Sequence, residues 1–131
     1  MSLIRTYSYL KYARINLDEA SEALAAEEHD RAASKSLDAA SAMMKAVAAA
    51  MPTVEKDFFR LKERALARYL EDISPEAGSA GQLAQILYSL VRWPLEAGST
   101  TEDEARRLMG QAGQALAILQ EIFPNKRHPL A

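Results

Sequence analysis

Residues 16–50, "NLDEASEALAAEEHDRAASKSLDAASAMMKAVAAA", contain two alanine-rich runs separated by a short charged segment. In each run, apolar residues recur at spacings of three and four, which places them on one face of a helix. The first face carries Leu17, Ala20 and Leu24, and the second carries Ala33, Leu37, Ala40, Met44, Val47 and Met51. Because only a few residues separate the runs, they predict an antiparallel helical hairpin.

The charged segment between the runs is Glu27, Glu28, His29 and Asp30. Two interpretations compete for it. A divalent metal site would need several of these side chains to converge on one point, although adjacent residues on a helix point apart. A turn needs less: Asp30 would be the N-cap of the second helix, accepting from the N–H of Ala32 or Ala33, while His29 would lie near the C-terminal end of the first helix. We favour the turn, and keep His29 and Asp30 as weaker metal candidates.

The same periodicity extends over the rest of the chain. The first helix is predicted to reach back to Leu3, the third to run from Thr53 after Pro52 to about Ile73, and the fourth to end at Pro94 and Gly98. A fifth helix should begin at Thr101, which forms a capping box with Glu104. The predicted core positions of these helices are Leu3, Tyr7, Leu10 and Ala13; Val54, Phe58, Leu61, Ala65 or Leu66, and Tyr69 or Leu70; Leu83, Ile86, Leu87 and Leu90; and Ala105, Leu108, Ala112, Leu116, Leu119 and Phe123.

These patterns predict an all-α protein with one domain over residues 1–131, in which residues 125–131 form a frayed tail. We expect an antiparallel up-and-down bundle of four main helices plus a fifth. No segment alternates with a period of two over the length of a strand.

Composition narrows the functional classes. The chain carries 16 Lys+Arg against 18 Asp+Glu and has no cysteine. Disulfides, thiolate zinc sites and cysteine nucleophiles are therefore excluded, and any binding of polyanions must come from a local patch. Without a signal peptide or an uncharged apolar run near 20 residues, we expect a cytoplasmic protein that does not enter a membrane. No motif predicts a cofactor.

The predicted third helix carries a possible patch of this kind. Lys56, Arg60, Arg64 and Arg68 follow each other at four-residue spacing, which lays four cations along one helical stripe. A phosphate backbone could run along this basic stripe. The alternative is a solvated face whose charge is neutralised by Glu63, Glu71 and neighbouring helices.

Aromatic and methionine residues suggest contacts with partners. Trp93, beside Arg92 and Pro94, is either a core residue or an exposed anchor for a protein partner. Tyr7, Tyr9 and Tyr12 are predicted at the edge of the core, with buried rings and hydrated hydroxyls. Met43 and Met44 are predicted to fill the core and its grooves, although one of them could line an interface. The helices rich in alanine and methionine suggest self-association, so we expect a homodimer.

The hairpin of residues 16–50 resembles the start of the HEPN superfamily, and most resembles its archaeal PaREP1-type proteins. The shared pattern is a leucine- and alanine-rich helix with an acidic pair, a short turn, and an alanine-rich helix ending in Lys45-Ala46. The resemblance implies an all-helical, often dimeric bundle that acts on RNA or accompanies a nucleotidyltransferase. HEPN ribonucleases use an arginine followed four to six residues later by histidine. Here no arginine has a histidine at that distance, and the nearest match, Arg64 to Tyr69, has tyrosine instead.

We therefore expect a non-catalytic HEPN-like module that binds nucleic acid or nucleotide, or that docks a nucleotidyltransferase-type partner. The alternative is an adaptor for protein partners, because the hairpin also partly follows the spacing of a tetratricopeptide unit. No second copy of that unit appears about 34 residues further on, so a closed bundle is favoured over a solenoid.

Overall fold

The computed structural model describes residues 3–51, 63–73, 80–95 and 98–124, and all of its regular elements there are helices. They are α1 (Ile4–Ala25), α2 (His29–Ala50), α3 (Glu63–Ile73), α4 (Ala80–Val91) and α5 (Glu102–Ile122). The predicted all-α class is confirmed. In the described ranges, no helix is both long enough and apolar enough to cross a membrane. The predicted start of the third helix, with Thr53, Val54, Phe58 and Leu61, and the tail 125–131 lie outside the described residues.

Helices α1 and α2 form the predicted antiparallel hairpin. At its open end, the buried hydroxyl of Thr6 donates a 2.8 Å hydrogen bond to the carbonyl of Ala46, 40 residues later. Further along, the Lys35 ammonium lies 3.5 Å from the Glu19 carboxylate across the hairpin. These contacts fix the register in which the apolar faces of the two helices meet.

The turn between α1 and α2 is closed by backbone hydrogen bonds. The N–H of Glu28 donates to the carbonyl of Ala23 at 2.8 Å, and the N–H of Glu27 donates to that of Leu24 at 3.0 Å. This is the pairing of a Schellman motif, which normally places glycine at the left-handed position. Here Glu27 occupies that position with φ 60°. The turn therefore carries backbone strain that glycine would relieve.

Helix α2 is the centre of the fold, because it packs against α1, α4 and α5. Its small side chains let these three helices approach closely. The buried residues of α2 are Ala32, Ala33, Ser36, Ala39, Ala40, Ala42, Met43, Met44, Ala46, Val47 and Ala50. The alanine and methionine surface from which we predicted self-association is thus used inside one chain. A second copy would have to bind elsewhere.

The remaining helices complete the core largely as their sequence predicted. All six predicted positions of α5 are buried, as are Leu83, Leu87 and Leu90 of α4, whereas Ile86 is half-buried. Thr101 caps α5 by accepting a 3.1 Å hydrogen bond from the N–H of Glu104. In α3 the buried residues are Leu66 and Leu70, and the hydroxyl of Tyr69 donates at 2.8 Å to Ala50, whose carbonyl ends α2. Burial raises the pKa of Tyr69 above its ordinary value of 10.0.

Candidate functional site

Two residues of the basic stripe, Arg64 and Arg68, lie on the solvent side of α3 and are exposed. The opposite side of the helix carries the buried Leu66 and Leu70. Lys56 and Arg60 lie outside the described residues. One turn beyond Arg68, Glu71 and Asp72 are also exposed. These carboxylates limit the positive surface at its C-terminal end, so any phosphate contact should lie on the N-terminal side of Glu71.

Trp93 is half-buried and packs against the main core. The guanidinium of Arg107 lies over its indole ring, 5.5 Å from the ring centroid. Such a cation–π contact covers part of the ring that a partner would otherwise use. The geometry favours the core interpretation of Trp93 over the anchor interpretation.

The structure corrects the role we predicted for Asp30. The N-cap of α2 is Glu28, which makes no side-chain capping bond, and Asp30 lies inside the first turn of the helix. Its carboxylate instead accepts hydrogen bonds from the N–H of Gly98 at 2.6 Å and the N–H of Thr100 at 3.2 Å. Gly98 has φ 82°, a left-handed conformation that favours glycine. Asp30 therefore fastens the loop between α4 and α5 to the start of α2.

The surroundings of Asp30 favour its ionised form. The Thr100 side chain and the N–H of Gly98 are the two largest causes that lower its pKa from 3.8, and the charge of His29 adds to them. The position at the N-terminus of α2 also suits a carboxylate. The geometry is that of a structural fastening, with the carboxylate already engaged by two backbone donors.

His29 also differs from its prediction, since it is the first residue of α2 and does not belong to the end of α1. Its Nε2 lies 3.9 Å from one carboxylate oxygen of Glu102, and the other oxygen accepts a 2.9 Å hydrogen bond from Arg106. Within the described ranges, no three side chains of His, Cys, Asp or Glu are grouped so that they could hold a metal ion. The sequence interpretation of this segment as a turn agrees with the observed path of the chain.

The N-terminal half of α1 presents a basic surface that we did not predict. Arg5, Lys11 and Arg14 are all exposed, and residues 3–15 contain no aspartate or glutamate. Exposed apolar residues accompany them: the exposed fractions of Ile4, Tyr12 and Ile15 are 73%, 56% and 45%. The sequence signal was present, since these cations precede the first carboxylate of the chain. The apolar pattern of the helix predicts only its buried face.

One flank of this surface borders a groove of about 620 Å³ between α1 and the C-terminal end of α5, here called the α1–α5 groove. Its apolar lining consists of Ile4, Tyr7, Leu10 and Phe123, and its polar lining of Ser8, Lys11, Arg14 and Gln120. The guanidinium of Arg14 donates a 3.0 Å hydrogen bond to the side-chain oxygen of Gln120. No carboxylate lies among these lining residues. The groove thus combines an apolar floor with two cations at its rim.

Of the three tyrosines predicted at the edge of the core, two lie there and one is exposed. Tyr7 and Tyr9 are half-buried and pack against the core, whereas Tyr12 is mostly exposed. Tyr9 and Tyr12 line a smaller groove of about 230 Å³ between α1 and α2, beside Asp38 and Lys45. This second groove carries charges of both signs, so it selects less clearly for one kind of ligand.

No protein-family model, curated protein or solved structure matches this chain. The resemblance to the HEPN superfamily therefore stays a prediction.

Proposed function

We propose that the protein is a cytoplasmic, non-catalytic module with an antiparallel up-and-down, HEPN-like helical bundle, and that it binds nucleic acid through the basic stripe of α3. The observation that carries this proposal is the exposure of Arg64 and Arg68 on one side of α3, one helical turn apart. Guanidinium groups at this spacing can contact successive phosphates of a strand. Lys56 and Arg60 would continue the same row by sequence.

The position of Tyr69 supports a non-catalytic role. It stands where the HEPN ribonuclease motif would place histidine after Arg64, and its hydroxyl is committed to the carbonyl of Ala50. Burial raises its pKa above 10.0, so the hydroxyl keeps its proton at neutral pH. A group in this state cannot act as a general base near pH 7. The stripe would hold nucleic acid without cleaving it.

The test is binding of labelled single-stranded and duplex RNA and DNA across a salt series. Four phosphate contacts predict a logarithmic salt slope of about −3 to −4, and Arg64→Glu/Arg68→Glu should remove about half of it. The matched control is Lys11→Glu/Arg14→Glu, which changes the net charge equally on another helix. Equal loss in both variants would reveal only general electrostatic attraction. Absence of binding by the wild type at low salt would refute the proposal.

A partner-docking role is favoured by a different observation, the exposed apolar residues of α1. Ile4, Tyr12 and Ile15 share the solvent side of the helix, and no carboxylate accompanies them in residues 3–15. The proposed homodimer, or a nucleotidyltransferase-type partner, would bind there, since α2 is buried. Light scattering of the wild type and of Ile15→Lys tests the homodimer: a dimer that the variant dissociates supports this surface, and a wild-type monomer rules out self-association.

A further inference from the structure

We propose that the α1–α5 groove binds a small amphiphilic anion, a carboxylate with an unbranched apolar chain. This inference goes beyond nucleic-acid binding and does not rest on it, because the groove and the stripe share no residue. The groove volume of about 620 Å³ lies within the range of sites that hold small organic ligands. From Ile4 to Arg14, α1 rises about 15 Å, which gives the groove the length for an extended chain.

The floor of the groove selects an apolar body. The exposed fraction of Ile4 is 73%, so an apolar chain bound in the groove would remove much of this side chain from water. Tyr7, Leu10 and Phe123 continue the same lining toward the core. Covering this surface with an alkyl chain removes apolar area from water, which is the main source of affinity for a ligand of this kind.

The rim of the groove selects a negative head group. Lys11 and Arg14 are three residues apart on α1, so their side chains lie on neighbouring parts of one helical face. Both are exposed, and among the described residues no aspartate or glutamate lines the groove to neutralise them. A cationic ligand would be repelled here, and a neutral one would leave both charges without a partner.

The state of Arg14 favours a carboxylate in particular. Its guanidinium is held across the groove by the 3.0 Å hydrogen bond to Gln120, which uses one of five N–H donors. The donors that remain form a planar fork, which matches the two oxygens of a carboxylate. Because Gln120 already orders the side chain, binding loses less conformational entropy than with a free arginine.

The groove does not suit a nucleic-acid strand as well as it suits this ligand. A strand needs phosphate contacts repeated along an open surface, whereas the two cations of the rim lie within one helical turn. The floor below them is apolar. One head group and one apolar chain account for both features.

The experiment compares three probes of equal chain length: decanoate, decanol and decyltrimethylammonium. Calorimetry and amide chemical shifts of the full chain should show saturable one-to-one binding of decanoate, with shifts at Ser8, Lys11 and Gln120. We expect decanol to bind about tenfold more weakly and the cation not to saturate. Lys11→Gln/Arg14→Gln should reduce the affinity for decanoate to that for decanol.

Variants outside the rim complete the test. Ser8→Trp should block the groove for every probe, while Ser21→Trp, an exposed serine further along α1, and Arg64→Gln/Arg68→Gln should leave decanoate binding unchanged. Equal affinity for all three probes, or unchanged binding by the rim variant, would overturn the proposal. A dimer that Ser8→Trp dissociates, with no decanoate bound, would likewise overturn it and assign the groove to contact between copies.

Discussion

Helices α1 and α2 have the same length of 22 residues, yet one is largely exposed and the other largely buried. Helix α2 is covered by three other helices and exposes only a narrow strip that includes Arg31, Ser34, Asp38 and Lys45. Helix α1 buries one face and leaves Ile4, Tyr12 and Ile15 in water. The difference lies in side-chain size, because α2 contains nine alanines and α1 only four, and the residues between the apolar positions of α1 are mostly large or charged.

Because of this difference, we expect substitutions in α2 to affect stability and substitutions on the open face of α1 to affect binding. A side chain of α2 contacts several helices at once, so a change there disturbs the whole core. A side chain on the open face of α1 contacts little of the folded chain, so a change there should alter ligand or partner binding with little effect on folding. The following variants test that division.

Shortening a core residue of α2 should have the largest effect. Met43 is 0% exposed, and Met43→Ala should lower the free energy of unfolding by about 2–5 kcal/mol through lost burial and a cavity. Ile15→Ala, at 45% exposure on α1, should lower it by less than about 1 kcal/mol. Urea unfolding followed by circular dichroism measures both. Similar losses in the two variants would show that the open face of α1 is not open in solution.

Part of the core could be predicted from the sequence because helical periodicity is local information. Among the described residues, spacings of three and four identified five of the six buried residues of α5 and three of the five in α4, but only three of six in α1 and four of eleven in α2. The same rule could not reveal how many helices surround α2, since alanine packs equally well on any face. For this reason, the predicted self-association used side chains that the chain itself buries.

The groove and the Asp30 contacts could not be predicted because they depend on distant residues. Arg14 meets Gln120 across 106 residues, and Asp30 meets Gly98 and Thr100 across 68 and 70. Local capping rules predicted Asp30 as an N-cap, but backbone donors from the loop after α4 compete for the same carboxylate. The position of the N-cap of α2, Glu28, also depends on Glu27, which adopts a left-handed conformation that is rare for glutamate.

The hydrogen bond between α1 and α2 should have the next largest effect on stability. Thr6→Val keeps the shape of the side chain but removes the hydroxyl that donates to Ala46. The loss should be about 1 kcal/mol, because the bond is buried and the carbonyl belongs to a helix. Ser8→Ala, an exposed serine on the same helix, serves as the control and should change stability little. Equal changes in the free energy of unfolding would mean that the hydroxyl of Thr6 contributes nothing specific to the packing of α1 on α2.

At the turn, a substitution should stabilise the hairpin. Glu27→Gly removes the strain of a left-handed glutamate, and the gain, reduced by the added freedom of the unfolded chain, should be about 0.5 kcal/mol. Glu28→Gly tests the position next to it, where φ is −92° and glycine brings no relief. It should destabilise the protein. Opposite signs for two adjacent glutamates would identify backbone conformation, not charge, as the cause.

The smallest effect should come from Asp30, whose carboxylate lies at the surface where water weakens its interactions. Its folded-state pKa is lowered from 3.8, so its contribution to stability is present above about pH 4 and is lost as the pH falls through the folded-state pKa. Asp30→Asn should therefore be less stable than the wild type at pH 7, and the difference in their free energies of unfolding should disappear in acid. Urea unfolding from pH 7 to pH 2 measures it.

Asp38→Asn is the matched control for Asp30, because Asp38 is an exposed aspartate of the same helix. Amide exchange at Gly98 and Thr100 gives a second readout, since only Asp30→Asn should accelerate it. His29 is present in all of these proteins, so its contribution cancels in the comparison. A difference that persists unchanged to pH 2 would show that Asp30 acts through packing, and would leave α2 joined to the loop by contacts that do not depend on charge.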